Sequence, residues 1–153
     1  MKKILFFLLL ISFIDVFSQM GKVINIKDGD TVVILGENFK KYTVRVADID
    51  CPEKKQPFGK KAKQFTSKEI LGKTVEVKIK NFDKYGRTVG YILYENKNLS
   101  LELLKNGLAW HYKYYSKDKE MAFLENEAKK NKLGLWSHKK PINPYYWRKG
   151  VRE

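Results

Sequence analysis

Three acids stand within Asp48-Ile49-Asp50-Cys51-Pro52-Glu53, and the one cysteine of the chain lies among them. Another acid, Asp30, ends the turn Lys27-Asp28-Gly29-Asp30. If the β-branched runs around these residues pair as a meander, the start of the second strand and the end of the third share one rim. Asp30 and Asp50 then converge. Two carboxylates completed by carbonyls and waters make a hard-cation site of the Ca²⁺ or Mg²⁺ type. The loop does not follow the EF-hand pattern. The ordinary alternative is that Asp-Gly-Asp is only a turn and that Asp48 is one more solvated acid.

The cations are mostly lysine. Arginine is confined to Arg45, Arg87, Arg148 and Arg152. Arg45 sits inside an apolar strand pattern five residues before Asp50, so its guanidinium is either a buried ion-pair partner or a bidentate phosphate clamp. Tyr85, Tyr112, Tyr114 and Tyr115 on a basic barrel suit a nucleic-acid groove, although tyrosines at 112 and 115 suit a core equally well. His111 and His138 have no second histidine at metal-ligand spacing, which favours structural or surface roles. A Cys51–His111 nucleophile pair is disfavoured, because Cys-Pro after a strand has no helix N-terminus directly behind it to lower the thiol pKa.

These residues need a scaffold that the pattern itself predicts. Residues 22–26 and 31–35 are β-branched runs separated by an Asp-Gly turn, a hairpin signal. Residues 41–49 alternate as a third strand, 74–80 as a strand with one wet face, and 87–94 as the strand after a Lys84-Tyr85-Gly86 turn. Phe58, Ala62, Phe65 and Glu69 or Ile70 recur at helical spacing up to Gly72. Residues 99–107 form a short helix closed by Gly107. Asp118 caps a further helix with Met121, Leu124 and Ala128 on one face. The order β-β-β-α-β-β-α-α predicts an α+β, mainly β chain: a five-stranded OB-fold barrel with three packed helices. The basic segment 137–153, with Pro141, Pro144 and Trp147, forms a separate tail.

The chain has 153 residues, 43% hydrophobic and 14% aromatic, enough for one domain with a real core. Lys2 and Lys3 precede an apolar run from Ile4 to Ile14 and a small residue at Ser18. This pattern reads as a signal peptide over residues 1–18, too short to span a bilayer. A retained anchor is the second choice and a buried N-terminal helix the third. A secreted or periplasmic product without a stable membrane anchor is therefore expected. Cys51 has no partner for a disulfide, so stability rests on the core, helped by any bound metal. The net charge of +14 attracts polyanions such as nucleic acid, or an anionic membrane or wall surface. Charge by itself fits a solubility device equally well.

Several segments in order resemble the staphylococcal nuclease (thermonuclease) family: residues 23–32 (VINIKDGDTV), 44–53 (VRVADIDCPE), 82–92 (FDKYGRTVGYI), 103–110 (LLKNGLAW) and 127–136 (EAKKNKLGLW). The resemblance covers residues 22–136. It implies an OB-fold and Ca²⁺-dependent hydrolysis of DNA and RNA phosphodiesters that leaves 3′-phosphate ends. It implies Asp30 and Asp50 as calcium carboxylates and the backbone carbonyl of Cys51 as a further ligand, where the family's best-known member has threonine. Glu53 matches the glutamate that acts on the attacking water, and Arg45 and Arg87 match the phosphate-binding arginines. Lys84, Tyr85 and Tyr115 align with residues near the nucleotide, whereas Lys113 replaces a family tyrosine. Asp48 stands where an apolar residue is common. A monomer acting on DNA and RNA, with no protein partner, is the resulting expectation. The alternative is a noncatalytic OB module that only binds nucleic acid, and a remoter one is a basic surface-binding protein.

Overall fold

The computed structural model describes residues 18–152. The expected signal peptide, residues 1–18, lies outside the described residues except for Ser18, which opens the first strand. The elements in chain order are β1 (Ser18–Asp28), β2 (Thr31–Gly36), β3 (Lys41–Val46), β4 (Ile49–Asp50), α1 (Gly59–Ile70), β5 (Thr74–Phe82), β6 (Thr88–Tyr94) and β7 (Lys97–Asn98). They continue with α2 (Leu99–Lys105), β8 (Trp110–His111), α3 (Lys119–Lys130), a 3-10 turn at Gly134–Ser137 and α4 (Pro144–Arg148).

Alternation of apolar and polar residues builds the sheet, and one long strand bends it. β1 pairs antiparallel with β2 through its C-terminal part and with β5 through its N-terminal part, with register irregularities at Val23/Asn25 and Ile26/Asp28. Such bulges bend a strand and increase its twist. The strand order is β3-β2-β1-β5-β6-β7, and a parallel pairing of β3 with β6, Val44 beside Thr88 and Arg45 beside Val89, closes the barrel. Closure removes the exposed edges of the five main strands. The expected five-stranded OB-fold barrel is therefore present.

Inward-facing Val23, Val32, Ile34, Val44, Val77 and Ile92 are fully buried and meet Leu99, Leu103 and Leu104 of α2. Each such side chain contributes about 1.5–3 kcal/mol by leaving water. The helices begin and end where local chemistry says. Asn98 caps α2 by accepting from the Ser100 amide at 2.9 Å, and Asp118 caps α3 by accepting from the Met121 amide at 2.9 Å. Gly107 takes the left-handed conformation (φ 64°) just beyond α2. The buried face of α1 is Gly59, Ala62, Thr66 and Ile70, one step away from the face expected from Phe58. Phe58 itself is the N-cap, at φ 69°.

The third strand differs from its expected span of residues 41–49. It stops at Val46, Asp48 adopts φ 62°, and the chain resumes as β4, which pairs with β8 instead of β2. Aspartate tolerates the left-handed region better than most residues. Here Lys80 Nζ donates to its Oδ1 at 2.6 Å and Tyr91 Oη donates to its Oδ2. Asp48 is therefore structural, fixing the break that turns Asp50 away from the barrel wall.

Candidate active site

The turn between β1 and β2 presents Asp30, and α1 holds that turn in place. Thr66 Oγ1 donates to the Gly29 carbonyl at 2.6 Å. A Cβ on Gly29 would lie 2.8 Å from Ala62 Cβ and 2.9 Å from Cys51 Sγ, so only glycine lets the turn, the helix and the Cys51 segment meet. Asp30, 6% exposed, accepts from the Cys51 amide at 2.7 Å and pairs with Arg45 Nη1 at 2.6 Å through Oδ2. Its Oδ1 accepts from Thr31 Oγ1 at 3.2 Å.

Asp50 arrives from the other side on β4. Its strand partner β8 is braced by α3, where buried Glu125 accepts from the His111 amide at 3.1 Å and pairs with Lys113 and Lys129 at 2.8 and 2.9 Å. Arg45 Nη2 donates to Asp50 Oδ1 at 2.9 Å. The single guanidinium of Arg45 therefore bridges the two carboxylates that the meander was expected to bring together. Burial favours its neutral form, but the charges of Asp30 and Asp50 outweigh that and hold its pKa above the ordinary value. Asp50 keeps a raised pKa, chiefly from burial, despite its bonds to arginine.

Two further charged groups at this rim have no clear signal in the sequence. Asp28, which reads there only as part of a turn, has its pKa pushed up to about 7 by burial and then by the neighbouring Asp30 carboxylate. Arg148 reaches in from α4, 98 residues from Asp50. Its Nη2 donates to Asp50 Oδ2 at 2.9 Å and its Nη1 to Asp50 Oδ1 at 3.2 Å and to Glu53 Oε1 at 2.7 Å. The scarcity of arginine singles out Arg148, but no spacing rule connects so distant a residue to the acids.

Glu53 stands on the loop between β4 and α1 with its side chain about one-third exposed. Gln56 pins that loop, its Oε1 accepting from the Glu53 amide at 3.0 Å. Gly59 follows where any Cβ would fall 1.9 Å from the Glu53 carbonyl oxygen. Cys51 is 3% exposed, and burial, then the charge of Asp30, push its thiol well above its ordinary pKa. Among the described residues it makes no bond to His111.

The remaining expected residues make no hydrogen bond or ion pair with Asp30, Asp50 or Glu53 among the described residues. Arg87 Nε pairs with Asp83 Oδ2 at 2.7 Å within the β5–β6 hairpin, and its guanidinium lies 5.6 Å from the centre of the Tyr85 ring. Lys84 Nζ, on the same hairpin, lies 5.2 Å from that ring centre. Tyr85 is 72% and Tyr115 62% exposed. Tyr115 packs edge-on against both Tyr112 and Tyr114 at 4.9 Å, and the segment is tied to Asp48 by a bond from the Tyr112 amide. The structure thus joins Asp30, Asp50, Arg45 and Glu53, the last through Arg148. It leaves Arg87, Lys84, Tyr85 and Tyr115 on other loops.

Among the described residues no three His, Cys, Asp or Glu side chains form a metal cage by themselves. A hard cation does not require one, since Mg²⁺ and weakly held Ca²⁺ complete their shells with waters, carbonyls and substrate oxygens. The donor set suits such an ion: it is all-oxygen and anionic, and Asp28 is lifted to about 7 by burial first and by the Asp30 carboxylate second. Carboxylates that repel one another in this way are relieved by a divalent cation.

Residues 43–138 match the profile described as "Staphylococcal nuclease homologue". An "Uncharacterized endonuclease" of Haemophilus influenzae is 40% identical over 128 residues, 84% of this chain and 72% of that protein. One of the same description from Escherichia coli is 36% identical over 129 residues, covering 84% of each. "Staphylococcal-like nuclease CAN1" of Arabidopsis thaliana is 43% identical over 113 residues, 74% of this chain but only 35% of that longer protein.

Proposed function

Because the chain belongs to the staphylococcal nuclease family, we propose that it is a secreted, calcium-dependent endonuclease that hydrolyses DNA and RNA phosphodiesters to 3′-phosphate ends. The observation that carries this reading is the joining of Asp30 and Asp50 by Arg45, at 2.6 and 2.9 Å, with Glu53 beside them. A binding module gains nothing from buried acids that repel its polyanionic ligand.

Asp30, Asp50 and the Cys51 carbonyl would hold the ion, which supplies positive charge against the phosphoryl oxygens and lowers the pKa of bound water. Arg45, fixed between two acids with Nη1 also on the Val46 carbonyl, would oppose the charge that develops on the phosphoryl oxygens with a positive charge already held in place. Glu53, solvent-accessible on a pinned loop, accepts the proton of the attacking water or orients it in line with the leaving oxygen. Arg87, together with Lys84, Tyr85 and Tyr115, serves the flanking nucleotides, where cationic and aromatic groups track a backbone and stack on bases.

The deciding experiment is plasmid nicking by the purified chain in Ca²⁺ and in chelator. Cleavage in Ca²⁺ that chelator abolishes is expected. Retained DNA binding without cleavage in Ca²⁺ would leave only the noncatalytic module.

A further inference from the structure

Building on the nuclease reading, we propose that Arg148 is a positioning residue of the active site. It is delivered by the C-terminal segment, beyond the stretch that matches the family profile. Three observations converge. The guanidinium forks across both oxygens of Asp50, at 3.2 and 2.9 Å, and reaches Glu53 at 2.7 Å. It therefore fixes the spacing between the strand-borne acid and the loop-borne acid. The segment that carries it is docked: Gln56 Nε2 donates to the Ile142 carbonyl at 2.6 Å while Gln56 Oε1 holds the Glu53 amide at 3.0 Å. One buried amide thus registers the tail against the loop. Finally, α4 is locally set, Asn143 accepting from the Tyr145 amide at 2.9 Å with Pro144 in the first turn. Arg152 closes the far end by donating to the Trp147 carbonyl at 2.7 Å.

Arg148 does for Glu53 what no other described residue does, since Arg45 pairs with Asp30 and Asp50 and not with Glu53. Two facing carboxylates left without it repel, and the one-third-exposed Glu53 swings toward water. An active-site group misplaced by about 1 Å loses on the order of 10²-fold in rate. Arg148 acts on the chemistry through Glu53 and Asp50.

The test uses the full chain with Arg148→Gln and Arg148→Lys. Arg148→Gln should lower kcat about 10- to 100-fold, with KM within about threefold of wild type. Arg148→Lys, which keeps the charge and loses the fork, should recover part of that loss. In chelator, the Tm losses of Arg148→Gln and Glu53→Gln should not add in the double variant, because both remove the same contact. A kcat equal to wild type at unchanged Tm would make the tail a bystander, and a kcat above wild type would make it an occluding plug; either overturns the proposal. Additive Tm losses with an active wild type overturn the clasp alone. A wild type that cleaves nothing overturns the nuclease reading and the catalytic part of this one, while the Tm comparison still reports on the clasp.

Discussion

Glu53 keeps its side chain about one-third exposed, whereas Cys51, two residues earlier, is 3% exposed with its thiol held in the neutral form by burial. A proton acceptor must meet solvent and substrate, and a thiol kept neutral is a poor nucleophile. Glu53→Gln should therefore cost about 10²–10³ in kcat and leave the fold intact. Cys51→Ala should retain the rate and lose about 1–2 kcal/mol of stability through the small void beside Gly29 and Ala62. Steady-state cleavage and thermal melts of the two variants separate these outcomes, and an inactive but folded Cys51→Ala would restore the thiol to the mechanism. Asp30, Asp50, Arg45 and Glu53 were legible in the sequence because strand pairing brings a turn and a strand end to one rim and the family motifs run through both. Arg148 was not, because its contact with Asp50 spans 98 residues and arises from how a tail docks.

At the scale of elements, the site depends on a short strand that pattern could not reveal. Residues 41–49 alternate throughout, so the break at Asp48 becomes visible only when Lys80 and Tyr91, far along the chain, supply its partners. The start of α3, by contrast, was legible because Asp118 acts on an amide three residues away, whereas the Asn98 cap of α2 emerged only in the structure. The broken-off β4 survives because α3 holds its partner β8 through Glu125. Burial pushes the Glu125 pKa up, but bonds from Lys113, Lys129 and the His111 amide outweigh it and the net shift is downward. His111 is also shifted down, first by burial, and stays neutral in the fold. Both groups have depressed pKa values in the folded state, so both bind protons more readily when unfolded. Their stabilisation is complete above the unfolded values of about 6.5 for His and about 4.3 for Glu, and is lost as pH falls through the folded ones. Glu125→Gln should cost about 2 kcal/mol at neutral pH, a Tm loss of about 4–8 °C. It should also flatten the acid limb of a Tm-against-pH curve. A variant that melts with the wild-type acid limb would remove Glu125 from the brace.

The molecule as a whole puts its positive charge to two uses. Arg45 and Arg148 engage the carboxylates of the site, and Arg87 engages Asp83. Exposed lysines dominate the surface that remains: Lys54, Lys55, Lys60 and Lys61 flank the Glu53 loop and the start of α1, and Lys139, Lys140 and Lys149 lie on the tail. Lysine is a compact, hydrated charge that attracts a polyanion without demanding a fixed geometry. Such contacts release counterions from nucleic acid, and they are screened by salt far more than buried pairs are. Salt should therefore act on encounter and leave the chemistry alone. Between about 50 and 200 mM NaCl, KM for duplex DNA should rise at least about tenfold while kcat stays within about twofold. Replacing Lys54, Lys55, Lys60 and Lys61 together by Gln should raise KM at low salt, flatten the salt slope and spare kcat. A salt-dependent kcat at constant KM would instead place the screened charges among the acids and guanidiniums of the site. The buried geometry around Arg45, whose side chain is 15% exposed, argues against that result for the Arg45 pairs. The Arg148–Glu53 pair, at 42% and 35% exposed, is the contact through which it would arise.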